Sequence, residues 1–107
     1  MAFPLDDPDA AIERVQADVR AAQERAALGV AVAVAARLLE MSPIDARRHS
    51  RPVPEVDAYY FRQPVRGGGQ LLVHRDGSLL FGASVLTFDQ MVTASAEGRR
   101  TDPSAWE

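Results

Sequence analysis

The sequence predicts an α+β domain, a small antiparallel sheet of three to four strands with an N-terminal helix and a short C-terminal helix on one face. Three observations lead there. An acidic, capped segment with apolar residues at steps of three and four follows Asp7; three β-rich runs, punctuated by glycines and by Asp76-Gly77, fill the second half; and Thr87-Phe88-Asp89-Gln90 has the pattern of a capping box.

Asp7 is placed to cap the first helix, Pro8 suits its first position, and Asp9 favours the positive end of its dipole. Ile12, Val15, Val19, Ala22 and Ala26 form a narrow apolar stripe while Glu13, Arg14, Arg20 and Glu24 face elsewhere, so the helix should lay that stripe on something flat. Gly29 suits its C-terminal end. The next residues read two ways: Val30-Ala31-Val32-Ala33-Val34 alternates as a strand does, whereas 35–40 has helix-forming composition. Length decides for a strand over 30–37, because one helix from Pro8 to Met41 would run about 50 Å, beyond the diameter of so small a domain. A helical hairpin is the competing arrangement. Residues 42–54, with three prolines, three arginines and a histidine, read as a surface connection or lid.

Ala58-Tyr59-Tyr60-Phe61, Gln70-Leu71-Leu72-Val73-His74 and Ser78-Leu79-Leu80-Phe81 then read as three strands. Asp76-Gly77 predicts a hairpin with a two-residue turn between the last two. The closing helix runs from Phe88 to Glu97, buries Phe88, Met91 and Val92, and stops at Gly98; residues 99–107 are expected to be a flexible tail.

With 107 residues, 47% hydrophobic and 25% charged, the chain fits one folded domain. No cysteine is present, which excludes disulfides, thiolate metal sites and a cysteine nucleophile. The N-terminus lacks the positive and apolar regions of a secretory signal, and Leu28 to Leu39, which includes Arg37, is shorter than the roughly 20 apolar residues of a membrane span. A cytoplasmic location and no membrane partner are expected.

No constellation reads as a reactive site. Arg66-Gly67-Gly68-Gly69 precedes a strand rather than a helix and no Lys-Ser/Thr follows, so it reads as a connection or bulge and not a phosphate loop. His49 and His74 have no ligand spacing around them, and His74 is expected to point outward beside the Asp76-Gly77 turn. No serine sits in a nucleophile elbow. The expectation is a protein that is not an enzyme and carries no cofactor or metal.

Binding candidates remain. Arg47, Arg48, His49 and Arg51 form a basic cluster, to which Arg62, Arg66 and Arg75 could add, beside aromatics able to stack on bases. A net charge of −3 and a pI near 5.3 argue against a general nucleic-acid binder. Alternation places Tyr60 opposite Tyr59 and Phe61, so with helices on one side only, Tyr60 would stand on an open sheet face as an interface anchor.

The stretch from Ala58 to Gly98, with Tyr59-Tyr60-Phe61, Gly67-Gly68-Gly69, Leu71-Leu72-Val73, Asp76-Gly77 and the helix after Thr87, resembles the YrhB-like immunity proteins of bacterial polymorphic toxin systems. The resemblance covers about forty residues and departs from the family's pattern in having tyrosines where a tryptophan is usual. It implies a small α+β inhibitor that occludes a cognate toxin and has no catalytic residues. The expected function is therefore a protein-binding module acting through the open sheet face and the connection at 47–54, with binding residues Arg47, Arg48, Arg51, Tyr60, Arg62 and Arg66. A nucleic-acid-binding domain using the arginines, or a self-associating protein using a strand edge or the helix stripe, are the alternatives.

Overall fold

The computed structural model describes residues 8–102. Its longest element is α1, Pro8–Leu38, followed by the short α2, Pro43–Arg48, then strand β1, Ser50–Val53, and a single 3-10 turn, Pro54–Val56. Strands β2 (Ala58–Arg62), β3 (Gln70–His74) and β4 (Leu79–Gly82) come next, and α3, Phe88–Ala96, closes the order. The Asp7 cap lies outside the described residues.

The α+β architecture and the three later strands stand as expected, but the first strand does not. Residues 30–37 continue α1, which spans 31 residues and so about 46 Å. Alanine dominates from position 21 to 36, and its helix preference outweighs both the β-branched valines and the roughly 1 kcal/mol cost of Gly29 inside the helix. The length argument fails because the molecule does not confine its helix: its extents are 64 × 30 × 25 Å, and its radius of gyration is 17.8 Å where a compact chain of this length has about 13 Å. The helix ends instead at Glu40, whose φ of 53° is left-handed, with the Met41 amide donating to the Ala36 carbonyl at 2.9 Å in a Schellman closure.

The fourth strand lies within the Pro/Arg-rich connection. Ser42 caps α2 by accepting from the Asp45 amide at 3.1 Å, and after one short helix the chain turns into β1. The sheet is an antiparallel meander in the order β1-β2-β3-β4, with Arg51 opposite Tyr60, Tyr60 opposite Leu72 and Leu72 opposite Leu80.

The two helices do not share a face. Along β2 and β3, Tyr59, Phe61, Leu71 and Val73 pack against Ala31, Val32, Ala35 and Leu39 at the C-terminal end of α1. The alternate residues Ala58, Tyr60 and Leu72 join Val53 and Leu80 under Met91 of α3. Both faces are covered, which explains why β3 is buried at every position rather than alternating. Phe61, Leu71 and Leu72 are fully buried, each worth roughly 1.5–3 kcal/mol against exposure. Ala31 and Ala35 are small enough to bring the helix close to the sheet.

Both sheet edges are blunted. β1 has four residues and carries Pro52. Beside β4, the Thr101 amide donates to the Leu79 carbonyl at 2.7 Å and the Phe81 amide donates to Thr101 Oγ1 at 2.8 Å. Residues 99–102 of the expected tail are therefore held against the sheet; 103–107 lie outside the described residues.

The β3–β4 connection is a hairpin, but with a three-residue loop. His74 and Ser78 pair, the Gly77 amide donates to the His74 carbonyl at 2.9 Å, and only Gly77 has positive φ, at 89°. This is a type I turn followed by a glycine bulge.

Candidate functional site

The face expected to be open is closed by α3. Tyr60 is 9% exposed; its ring meets Phe88 edge-on with centroids 4.9 Å apart, and its hydroxyl donates to Gln70 Oε1 at 2.5 Å. Burial pushes the Tyr60 phenol up from its usual range. Gln70 then donates to the Ala83 and Leu86 carbonyls at 2.9 and 2.8 Å, fastening the segment that leads into α3. Tyr60 is thus a core residue, and the expectation that it anchors a partner is corrected: it would have needed both helices on the opposite side.

His74, expected outward, is buried on the same side. Its Nδ1–H donates to the Ser78 carbonyl at 2.9 Å, which leaves Nε2 to accept from the Ser95 hydroxyl at 2.6 Å. A serine hydroxyl donating to a histidine supplies two members of a nucleophilic triad, but both side chains are buried. Desolvation holds the imidazole below its usual pKa, keeping it neutral. Among the described residues no three His, Cys, Asp or Glu side chains gather as metal ligands.

The six expected binding residues are not one patch. Arg47 and Arg48 lie in the last turn of α2, on the α1 side, flanking an exposed Ile44. Arg51 and Arg62 sit near the Tyr60 phenol on the α3 side, and the Arg51 guanidinium stacks 4.1 Å from the Phe88 centroid. Arg66 is exposed in the β2–β3 connection. Arg75 is engaged elsewhere: it pairs with Glu24 of α1 and, through Nε, with Asp57 at 2.8 Å.

That last cluster joins α1 to the sheet at the point where the helix leaves it. Tyr59 donates to Glu24 Oε2 at 2.6 Å while Arg75 binds Oε1. The Arg75 guanidinium, and then the Tyr59 hydroxyl, hold the Glu24 carboxyl below its usual range. A shallow cleft of about 280 Å³ runs beside it, lined mainly by Ala27, Val30, Val34 and Val73.

N-terminal to Glu24, α1 overhangs the sheet, and here lies the feature that sequence reasoning placed wrongly. Among the described residues the stripe of Ile12, Val15, Val19, Ala22 and Ala26 has no element packed over it: Ile12 is 54% exposed, Val15 61% and Val19 49%. At 3.6 residues per turn it lies on the side of α1 opposite Leu28, Ala31, Val32 and Ala35, the residues that meet the sheet. Ala33 extends the same outward face, and Val30, 66% exposed, stands where that face borders the cleft. The narrowness of the stripe was the available signal, because a helix that covers a sheet needs a wider apolar face than two positions per heptad.

Comparison with family models, with curated proteins and with solved structures finds no match to this chain.

Proposed function

We propose that the chain is a non-enzymatic protein-binding module that engages a partner along the outward face of α1. The observation that carries this is the row of exposed Ile12, Val15 and Val19 along the overhanging part of α1, a helix that meets the sheet only through its C-terminal end. Leaving large aliphatic side chains in water in a continuous row is unfavourable by the area each exposes, and a helix face in a complementary partner recovers it. Isolated exposed aliphatics need no such account, but a run in register along two helical turns and more does.

The other candidate surfaces offer less. The sheet is covered on one face by α1 and on the other by α3, so occlusion of a toxin by the sheet, implied by the resemblance over residues 58–98, rests on that resemblance alone. Nucleic-acid binding would need the arginines to line a continuous track, whereas they divide between the two sides of the sheet and Arg51 and Arg75 are engaged within the fold.

The test is affinity capture with the full chain and its Val19→Glu variant as baits. Val19 is exposed, so the variant keeps its fold, which circular dichroism verifies. A partner retained by the wild type and lost by Val19→Glu, with little dependence on salt, supports the reading. Equal capture by both overturns it.

A further inference from the structure

We infer that the occupant of the α1 face is a second copy of this chain, lying antiparallel across it about a two-fold axis between residues 20 and 21. The inference rests on the reading of that face given above.

The spacing of the exposed stripe is that of a coiled-coil seam. Ile12, Val15, Val19, Ala22, Ala26 and Gly29 follow one another at 3-4-3-4-3, which assigns Ile12, Val19 and Ala26 to position a and Val15, Ala22 and Gly29 to position d. The seam spans 18 residues, about 27 Å of helix. Glu24, which bonds Tyr59 and Arg75, falls at f on the far side, so a partner on the seam does not disturb the attachment of α1 to its own sheet.

Large and small residues are distributed along the seam in a way that selects the direction of pairing. In an antiparallel pair each a position faces a d position, and the two-fold arrangement stacks Ile12 on Gly29, Val15 on Ala26 and Val19 on Ala22, each layer occurring twice. Every layer then combines one β-branched residue with one small one, which keeps the helix axes at a constant distance. A parallel pair would set Ile12 on Ile12 at one end and Gly29 on Gly29 at the other, a wedge with a gap at its narrow layers.

The flanking charges select the same direction. Asp18 and Arg25 occupy the g positions, and neither forms an ion pair among the described residues. In the antiparallel register the Asp18 of one chain faces the Arg25 of the other on both sides of the axis, while Gln16 faces Gln23 at the e positions. Parallel pairing would face Asp18 with Gln23 and leave both charges unmatched. The two sheets lie on the outer sides of the paired helices, clear of one another, because each packs opposite its own seam. The blunted edges of β1 and β4 make strand-to-strand association the poorer route to a dimer.

The experiment is sedimentation equilibrium on the full chain, a protomer of 11.6 kDa, with four variants. The wild type is expected as a reversible dimer and Val19→Glu as a monomer. Asp18→Arg and Arg25→Asp each place like charges together twice and should weaken the dimer by roughly tenfold; the double swap Asp18→Arg/Arg25→Asp restores it. Recovery in the double swap is the antiparallel signature. A dimer indifferent to the single charge variants but lost in Val19→Glu overturns the register and direction while the face reading survives. A wild type that remains monomeric at millimolar concentration overturns self-pairing, and the capture experiment then decides alone whether the face binds a different protein. A dimer that persists in Val19→Glu forms through another surface and overturns self-pairing on the α1 face, while equal capture by the two baits is what overturns the reading beneath it.

Discussion

The Ser95 hydroxyl donates to His74 Nε2 at 2.6 Å, tying the end of β3 to the last turn of α3 across an otherwise apolar contact. The pair dictates a pH dependence. Desolvation, the largest influence on His74, lowers its folded pKa below the ordinary 6.5; the Arg100 guanidinium acts in the same direction, while the Ser78 carbonyl, Asp76 and Asp57 oppose it. The unfolded chain therefore binds a proton at a pH where the folded chain does not. Stability is fully present above about pH 6.5 and falls as pH drops below that value toward the folded pKa. Thermal unfolding between neutral pH and about pH 5 should show this decline in the wild type and a flatter profile in His74→Gln. A decline of equal slope in His74→Gln would assign it to the carboxylates instead.

Ser95→Ala isolates the other half of the pair. It strands the imidazole acceptor in the interior, at a cost of about 1–3 kcal/mol, with no change expected in self-association. Chemical denaturation reads the first and sedimentation the second.

Tyr60→Phe should act through stability and not through binding. The ring keeps its edge contact with Phe88, but Gln70 Oε1 loses the hydroxyl that donates to it, in a site closed to water. The expected loss is about 1–2 kcal/mol, with capture by the α1 face unchanged. A variant as stable as the wild type but weaker in binding would return Tyr60 to the surface role that its sequence context suggests.

At the start of α3, Thr87 Oγ1 accepts from the Gln90 amide at 3.1 Å and Gln90 Oε1 accepts from the Thr87 amide at 2.8 Å, the reciprocal capping box. Thr87→Ala should cost about 1 kcal/mol, whereas Thr87→Ser, which keeps the oxygen, should be nearly silent. Equal denaturation midpoints for the two variants would show that the cap contributes nothing.

These local devices were legible in the sequence because their causes are local. Thr87 and Gln90 stand three apart, Gly98 ends α3 with φ of 88°, and the strands at 58–62, 70–74 and 79–82 carry their own β-branched and aromatic residues. What was not legible depended on partners distant along the chain. Tyr60 and His74 alternate correctly, but which side each faces water from is set by where α3 docks, and nothing near them encodes that. The four-residue β1 was hidden because Pro52 within it and Pro54 just after it make the neighbourhood read as a turn, and its strand character comes from pairing with β2. The stripe on α1 was legible as a pattern, yet its exposure was not, since apolar periodicity reports that a face seeks burial and not which molecule supplies it.

Ala33 and Ala35 provide the sharpest check on the largest departure from the sequence reading. In a strand over 30–37 they would point to the same side, two residues apart, and respond alike to enlargement. In α1 they stand about 200° apart, so that Ala35 is fully buried against the sheet while Ala33 is exposed on the outward face. Ala35→Leu should therefore force the helix off Phe61 and Leu71, at a cost of about 1–3 kcal/mol. Ala33→Leu should leave stability within about 0.5 kcal/mol of the wild type, because leucine favours the helix and meets only solvent or a partner there. Urea denaturation of the two variants decides: equal losses at both positions would mean that residues 30–37 are extended, and α1 would then have to end near Gly29.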